Sequence, residues 1–299
     1  MEEKDVFDKV RKGYLQRADG YSRALGYPLK QAYGPDDIRG LVYEKDVGNP
    51  GDYPFTRGIH SDMYRGRLWT MREFVGYGTP EDTRERILKL AKSGATAITI
   101  APDLVTSAGI DPDHPLAAGE IGTDGVPLSS LRDMEALLEG VPIESVNVNL
   151  VVTSCVASIA LAQYVALAEE RHVEIAKLRG TISNCPIKDY FCSHKAGAPD
   201  LKFCLKMAGD VIEYCTKNMP LFNPFNSNVA SFRNMGISPA MEIAIGFAIA
   251  FAHIEEARQR GLNPDELVRR FAFFMATEME FFEEIAKHRS ARRMWARLL

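Results

Sequence analysis

The alternation of short apolar runs with amphipathic stretches constrains this 299-residue chain more than any other feature. Thr79-Pro80-Glu81-Asp82 reads as a helix start with proline at the first helical position, and Ile87, Leu88, Leu90 and Ala91 follow at helical spacing. The next run, Ala95 to Ala101, has the pattern of a short buried strand. The unit then recurs. Strands are expected at 145–152, 178–183, 221–229 and 268–276, and helices at about 129–140, 155–171, 199–218 and 238–260, with a last one at 278–298.

Strands that alternate with helices pair in parallel through crossover connections, so the fold class is α/β. About five βα units are legible, whereas a closed (β/α)8 barrel needs eight. Periodicity leaves open an open parallel sheet and a partial or split TIM barrel that something else finishes. Residues 1–57 are polar and rich in breakers, such as Gly34-Pro35-Asp36-Asp37, and read as an extended N-terminal arm. The domain reading is therefore an arm at 1–57 and a barrel domain at 58–299.

Composition narrows the function classes. With 46% hydrophobic and 25% charged residues the chain is ordinarily globular. A formal charge of −4 offers no general electrostatic case for nucleic acid. The first twenty residues have no apolar core of a secretory signal. The most apolar stretch, Ala240 to Ala252, contains Glu242 and falls short of the roughly 20 residues a membrane span needs. A soluble cytoplasmic protein with no membrane partner is expected. Five cysteines without a Cys-x-x-Cys pair suit free thiols in a reducing compartment. No two of the six histidines stand at i, i+4 spacing, so no metal site is expected.

The densest chemistry lies in Tyr53 to Arg72, where four arginines and two glycines are interleaved with aromatics. Such a segment can grip phosphates through guanidinium forks while aromatics and methionine pack an adenine or an acyl chain. On composition alone, a surface segment whose arginines pair with local acids is the competing reading.

That stretch resembles the substrate-binding arm of the adenosylcobalamin-dependent acyl-CoA mutases, the methylmalonyl-CoA mutase family. The resemblance continues through Asp111 to Gly122, reappears at Gly180-Thr181-Ile182 and runs from Phe281 to Lys287 and from Ala291 to Ala296. It implies a TIM barrel with a polar core along which the pantetheine chain of CoA threads. An oddity of the strands fits that picture. Barrel strands usually point bulky apolar side chains inward, yet these carry Thr99, Asn147, Asn149, Thr181, Ser183, Asn226 and Asn228. Alternating asparagine is poor for strand propensity and costly if buried without partners. A polar ligand or water channel would satisfy it, as would a solvated sheet face.

The family carries its cobalamin on a separate domain marked by Asp-x-His-x-x-Gly, whose histidine ligates cobalt. This sequence lacks the motif, and Asp113-His114-Pro115 does not have its spacing. The resemblance therefore implies that adenosylcobalamin is bound mainly by a partner domain or subunit, that another polypeptide completes the barrel, and that the protein is a homo- or hetero-oligomer.

Residue by residue, the resemblance implies acyl-CoA contacts at Met63, Thr70 and Arg72, with Arg67 matching an arginine of many relatives and Thr181 and Arg270 matching substrate-contacting positions. Other positions depart from the pattern. His60 stands for a tyrosine near the corrin, Thr99 for a serine, and Lys206 for an arginine that clamps a substrate carboxylate. Phe74 replaces a tyrosine of methylmalonyl-specific members and suits an isobutyryl-like group. Ser183 and Ser231 replace the glutamine and histidine that hydrogen-bond the thioester carbonyl. With Phe74 they form the expected catalytic set. The leading expectation is an isomerase subunit, an intramolecular transferase acting with a partner, that rearranges the carbon skeleton of an isobutyryl-like or methylmalonyl-like acyl-CoA. The alternative is a degenerate, non-catalytic barrel subunit that stabilises a mutase partner. A stand-alone CoA-binding protein is a third reading.

Overall fold

Strand-forming runs alternate polar and apolar residues, and the fold follows from where each half of that pattern goes. The computed structural model describes residue 30 and residues 32–192 and 199–299. Most of the expected arm before residue 32, including the stretch read for a secretory signal, lies outside the described residues. The strands are β1 (Arg72–Val75), β2 (Ala97–Ile100), β3 (Asn147–Leu150), β4 (Gly180–Ile182), β5 (Phe222–Asn223), β6 (Phe225–Asn228) and β7 (Phe271–Phe274). The first five form one parallel sheet in sequence order, and β6 pairs in parallel with β7. Only Pro224 separates β5 from β6; it has no N–H to give to a ladder, and the strand expected at 221–229 divides there.

The helices are α1 (Pro80–Lys92), α2 (Leu104–Ala108), α3 (Leu131–Leu138), α4 (Ala157–Glu170), α5 (Pro186–Cys192), α6 (Leu201–Asn218), α7 (Ala230–Asn234), α8 (Pro239–Gln259), α9 (Pro264–Val268) and α10 (Phe281–Leu298). Helix α1 starts where its sequence signal stands. Thr79 Oγ1 accepts the Asp82 amide at 3.2 Å, and the Asp82 carboxylate takes the Thr79 amide at 3.0 Å.

One face of the sheet is apolar. Ile98, Ile100, Val148, Leu150, Ile182 and Phe222 are each at most 3% exposed and share one core with Ile87, Leu137, Tyr164, Leu167 and Val211 of the helices. Each such side chain contributes roughly 1.5–3 kcal/mol. The result is an α/β fold with a parallel sheet, consistent with a partial TIM-like barrel. Two expectations need correction. A strand, β1, precedes the five anticipated ones; its Arg-Glu-Phe-Val run carries two charges and reads as part of the basic segment. The last strand begins at Phe271, because Pro264 starts helix α9 and carries the chain helically to Val268.

Two compact units divide the described residues. One, Trp69–Met235 with Ala244–Ala276, holds all the strands. In it α8 packs on β6: Ser227 Oγ donates to the Gly246 carbonyl at 3.1 Å, and the Phe225 ring stacks 4.2 Å from His253. Burial pushes His253 down to about 4, with Nδ1 2.8 Å from the Ile249 carbonyl. The folded value lies below the unfolded one, so the unfolded chain takes up the proton first on acidification. Stability should fall by at most about 1.4 kcal/mol per pH unit between roughly 6.5 and 4 on this account. Urea titrations of wild type and His253→Gln across that window check it; equal slopes would remove His253 as the cause.

The other unit comprises the described chain up to Leu68, Gly236–Ile243 and Thr277–Leu299. Its irregular segment is tied to α10 through backbone carbonyls. Arg292 donates to the carbonyls of Phe55 and Thr56, each at 3.1 Å, and Arg293 donates to that of Asp46 at 2.9 Å. Among the described residues no helix is long and apolar enough to cross a membrane.

Candidate acyl-ligand site

The second face of the sheet is polar, and the parallel register lines its side chains up. Phe74, Thr99, Asn149, Thr181 and Asn223 are successive partners across β1 to β5. One step toward the amino-terminal edge, Arg72, Ala97 and Asn147 form a second row. The amides knit the rows together. Arg72 Nη2 donates to Asn147 Oδ1 at 2.6 Å, Asn149 Nδ2 to Thr99 Oγ1 at 3.3 Å, and Asn223 Nδ2 to Thr181 Oγ1 at 3.3 Å. On β6, Phe225 and Ser227 face α8, so alternation puts Asn226 and Asn228 on the opposite side.

These amides are only half satisfied. The Oδ1 atoms of Asn149, Asn226 and Asn228 are buried and have no hydrogen-bond partner among the described residues. A buried acceptor left unpaired costs about 1–3 kcal/mol, so the face is built to receive donors. A ligand bearing amide or hydroxyl groups along its length matches it.

The expected site residues divide by location. Phe74, Thr99 and Thr181 stand in one row, with Arg72 on the same face. Ser183 follows the carboxyl end of β4, its amide donating to the Leu150 carbonyl at 2.9 Å, and Ser231 is the second residue of α7, just beyond β6. Thr70 is exposed before β1. His60, Met63 and Arg67 belong to the other unit; there Met63 fills the space over Gly58, where a Cβ would meet its Sδ at 2.1 Å. Lys206 is not brought to the polar face. It is exposed on α6 and its ammonium pairs with Asp210 at 3.3 Å. Arg270 lines a separate cavity of about 260 Å³ with Arg269, Glu266, Met219 and Phe222. Asn223 is a member of the row that the sequence reading missed, although it sits immediately before Pro224, with Asn226 two residues after it; the proline hid the continuity.

Comparison with known proteins decides what kind of chain presents this face. A family model described as Methylmalonyl-CoA mutase matches residues 22–299. The chain belongs to the methylmalonyl-CoA mutase family. It is 37% identical over 284 residues to the 2-hydroxyisobutanoyl-CoA mutase large subunit of Aquincola tertiaricarbonis, covering 95% of this chain and 50% of the relative. Methylmalonyl-CoA mutase of Cereibacter sphaeroides is 35% identical over 292 residues, covering 98% of this chain and 41% of that protein. The mitochondrial enzyme of Homo sapiens is 32% identical over 274 residues, covering 92% and 36%. The chain thus spans half the length, or less, of these curated relatives.

The described residues do not fit the part of the family's cobalamin site that ligates cobalt. Within the strand-bearing unit no described histidine belongs to a strand. His114 Nδ1 accepts the Leu116 amide within a short turn, His172 follows the carboxyl end of α4, and His253, on α8, is buried against Phe225. Among the described residues no cluster of three His, Cys, Asp or Glu side chains could hold a metal.

Proposed function

We propose that this chain supplies the acyl-CoA-binding part of a carbon-skeleton mutase, in which a 1,2-shift rearranges a branched acyl-CoA. The observation that carries the reading is the set of buried, unpartnered Oδ1 acceptors on the polar face, at Asn149, Asn226 and Asn228. The pantetheine arm of CoA carries amide and hydroxyl donors spaced along an extended chain, which is the complement these acceptors lack. Family membership supports the same ligand.

In this reading Arg72 binds an anionic group at the amino-terminal edge of the sheet, Thr99 and Thr181 line the channel, and Ser183 and Ser231 offer hydroxyl donors to the thioester carbonyl at the carboxyl edge, where barrel enzymes hold their reacting groups. Phe74 sits beside the acyl group and favours an uncharged, isobutyryl-like one. The corrinoid is carried by a partner domain or subunit, and no step is assigned to residues of this chain through it. Further strands from another domain or chain close the barrel. That part rests on the free edges of β1, which pairs only with β2, and β7, which pairs only with β6, among the described residues, and on the exposed Phe74 and Tyr77 at the first edge.

Calorimetric titration with free CoA, isobutyryl-CoA and methylmalonyl-CoA tests the proposal. CoA esters should bind, isobutyryl-CoA more tightly than methylmalonyl-CoA, and Arg72→Ala should weaken binding by roughly ten- to hundredfold through loss of a charged hydrogen bond. Should no CoA ester bind, even with a barrel-completing partner present, the non-catalytic scaffold becomes the better account.

A further inference from the structure

We infer that Asn147 is a positioning residue that holds the Arg72 guanidinium across strand β2 with its charge uncompensated, facing a phosphoryl oxyanion at the nucleotide end of the bound CoA ester; the inference rests on the acyl-CoA reading above.

The geometry starts from register. Arg72, Ala97 and Asn147 are lateral neighbours at the starts of β1, β2 and β3. Strands lie about 4.8 Å apart, so β1 and β3 are separated by nearly 10 Å. An arginine side chain spans that gap only if the residue between is small. Ala97, 1% exposed, presents a single methyl group, and Arg72 Nη2 reaches Asn147 Oδ1 at 2.6 Å over it.

The partner's charge matters more than the bond. Arg72 is half-buried, and desolvation lowers its pKa from the ordinary arginine value. Among the described residues no carboxylate stands within ion-pair distance of it. A half-buried guanidinium would ordinarily be matched with a carboxylate. Asparagine supplies the same acceptor oxygen without a negative charge, so the fork is oriented while its remaining donors and its full charge stay available. The amino-terminal edge is opposite the edge where Ser183 and Ser231 stand, which matches the phosphate end of the ligand rather than its acyl end.

A purely structural role, a staple of β1 to the sheet, makes a different prediction. Asn147→Asp keeps the acceptor and strengthens the staple, but neutralises Arg72. Its folded state should persist while affinity for CoA falls roughly ten- to hundredfold, with little change for isobutyryl-pantetheine, which has no phosphate. Asn147→Ser, uncharged and too short to reach, should give a smaller loss and guards against misfolding of the first variant. Calorimetric titration of each, after thermal unfolding shows them folded, reads the result. Unchanged CoA binding by Asn147→Asp overturns the inference, as does equal loss toward isobutyryl-pantetheine. A loss toward methylmalonyl-CoA without one toward free CoA overturns the phosphate assignment. If the wild-type chain binds no CoA compound, the acyl-CoA reading fails and this inference with it.

Discussion

Replacing Lys287 by alanine should lower stability by about 3–5 kcal/mol, the cost of breaking a buried ion pair from one side. The Lys287 side chain is 1% exposed, and the carboxylates it serves, Glu242 and Glu284, are 0% and 5% exposed. Its ammonium stands 3.0 Å from Glu242 Oε2 and also pairs with Glu284, one helical turn earlier on α10. Without it the two carboxylates lose their shared cation in a desolvated space, where that loss is costly. The neighbouring His288 is a poor replacement for the lost cation: it lies 3.9 Å from Glu284, and burial, the largest cause and one that remains in the variant, holds it below the usual histidine value. Combining Lys287→Met with Glu242→Gln and Glu284→Gln should recover most of the loss. Urea denaturation of the set gives the comparison. A loss under about 1 kcal/mol for Lys287→Ala, typical of an exposed pair, would sink the account.

That network was not legible in the sequence, whereas the sheet largely was. Glu242 appeared only as the charge interrupting an apolar stretch, and Lys287 only as the last residue of a stretch that resembles the family. Their meeting, 45 residues apart, depends on tertiary packing that no local pattern encodes. The strands around Thr99, Asn149 and Thr181 were legible because period-2 alternation survives whichever side the ligand occupies. The polar face followed from the same alternation, since asparagine at every second position of a strand sets its amides on one side of the sheet. Three features were not legible, for separate causes. β1 was hidden because Arg72 and Glu73 give it the composition of a surface segment. Lys206, matched by resemblance to a carboxylate clamp, stands exposed on α6 with Asp210. Arg270 matched its family position in type, but the turn after α9 directs it to the cavity beside Met219 and Phe222. Residue type was readable in all three; the direction of the side chain was not.

Gly180→Ala should be among the most damaging single-methyl changes in the strand-bearing unit. Gly180 lies on the helix-facing side of β4, in register with Val148 and Phe222. A Cβ there would stand 2.1 Å from the Val148 carbonyl oxygen and 2.6 Å from Phe222 Cε2. The oxygen belongs to a strand paired on both sides, and the ring is 0% exposed with Tyr164 6.3 Å away, so neither can retreat cheaply. Overpacking costs about 1–3 kcal/mol, and with two neighbours that cannot retreat the upper end is expected here. Gly209 is the control. A Cβ there also meets an atom at 2.5 Å, but that atom is Nε of Arg260, a side-chain end whose ion pairs with the partly exposed Asp210, Glu213 and Glu256 yield at lower cost than a strand carbonyl and a buried ring. Alanine also suits a helix better than glycine by about 1 kcal/mol, so Gly209→Ala should change stability little. The consequence for the ligand follows from position. Thr181 and Asn223 each come one residue after the colliding pair, and their side chains are joined at 3.3 Å on the polar face. Any strand displacement that relieves the Gly180 clash moves them apart or tilts the row. Gly180→Ala should therefore lose CoA binding even at temperatures where circular dichroism shows it folded, while Gly209→Ala keeps it. Equal stability of the two variants, or wild-type CoA affinity in folded Gly180→Ala, would show that β4 yields at that point and that the row does not depend on its exact position.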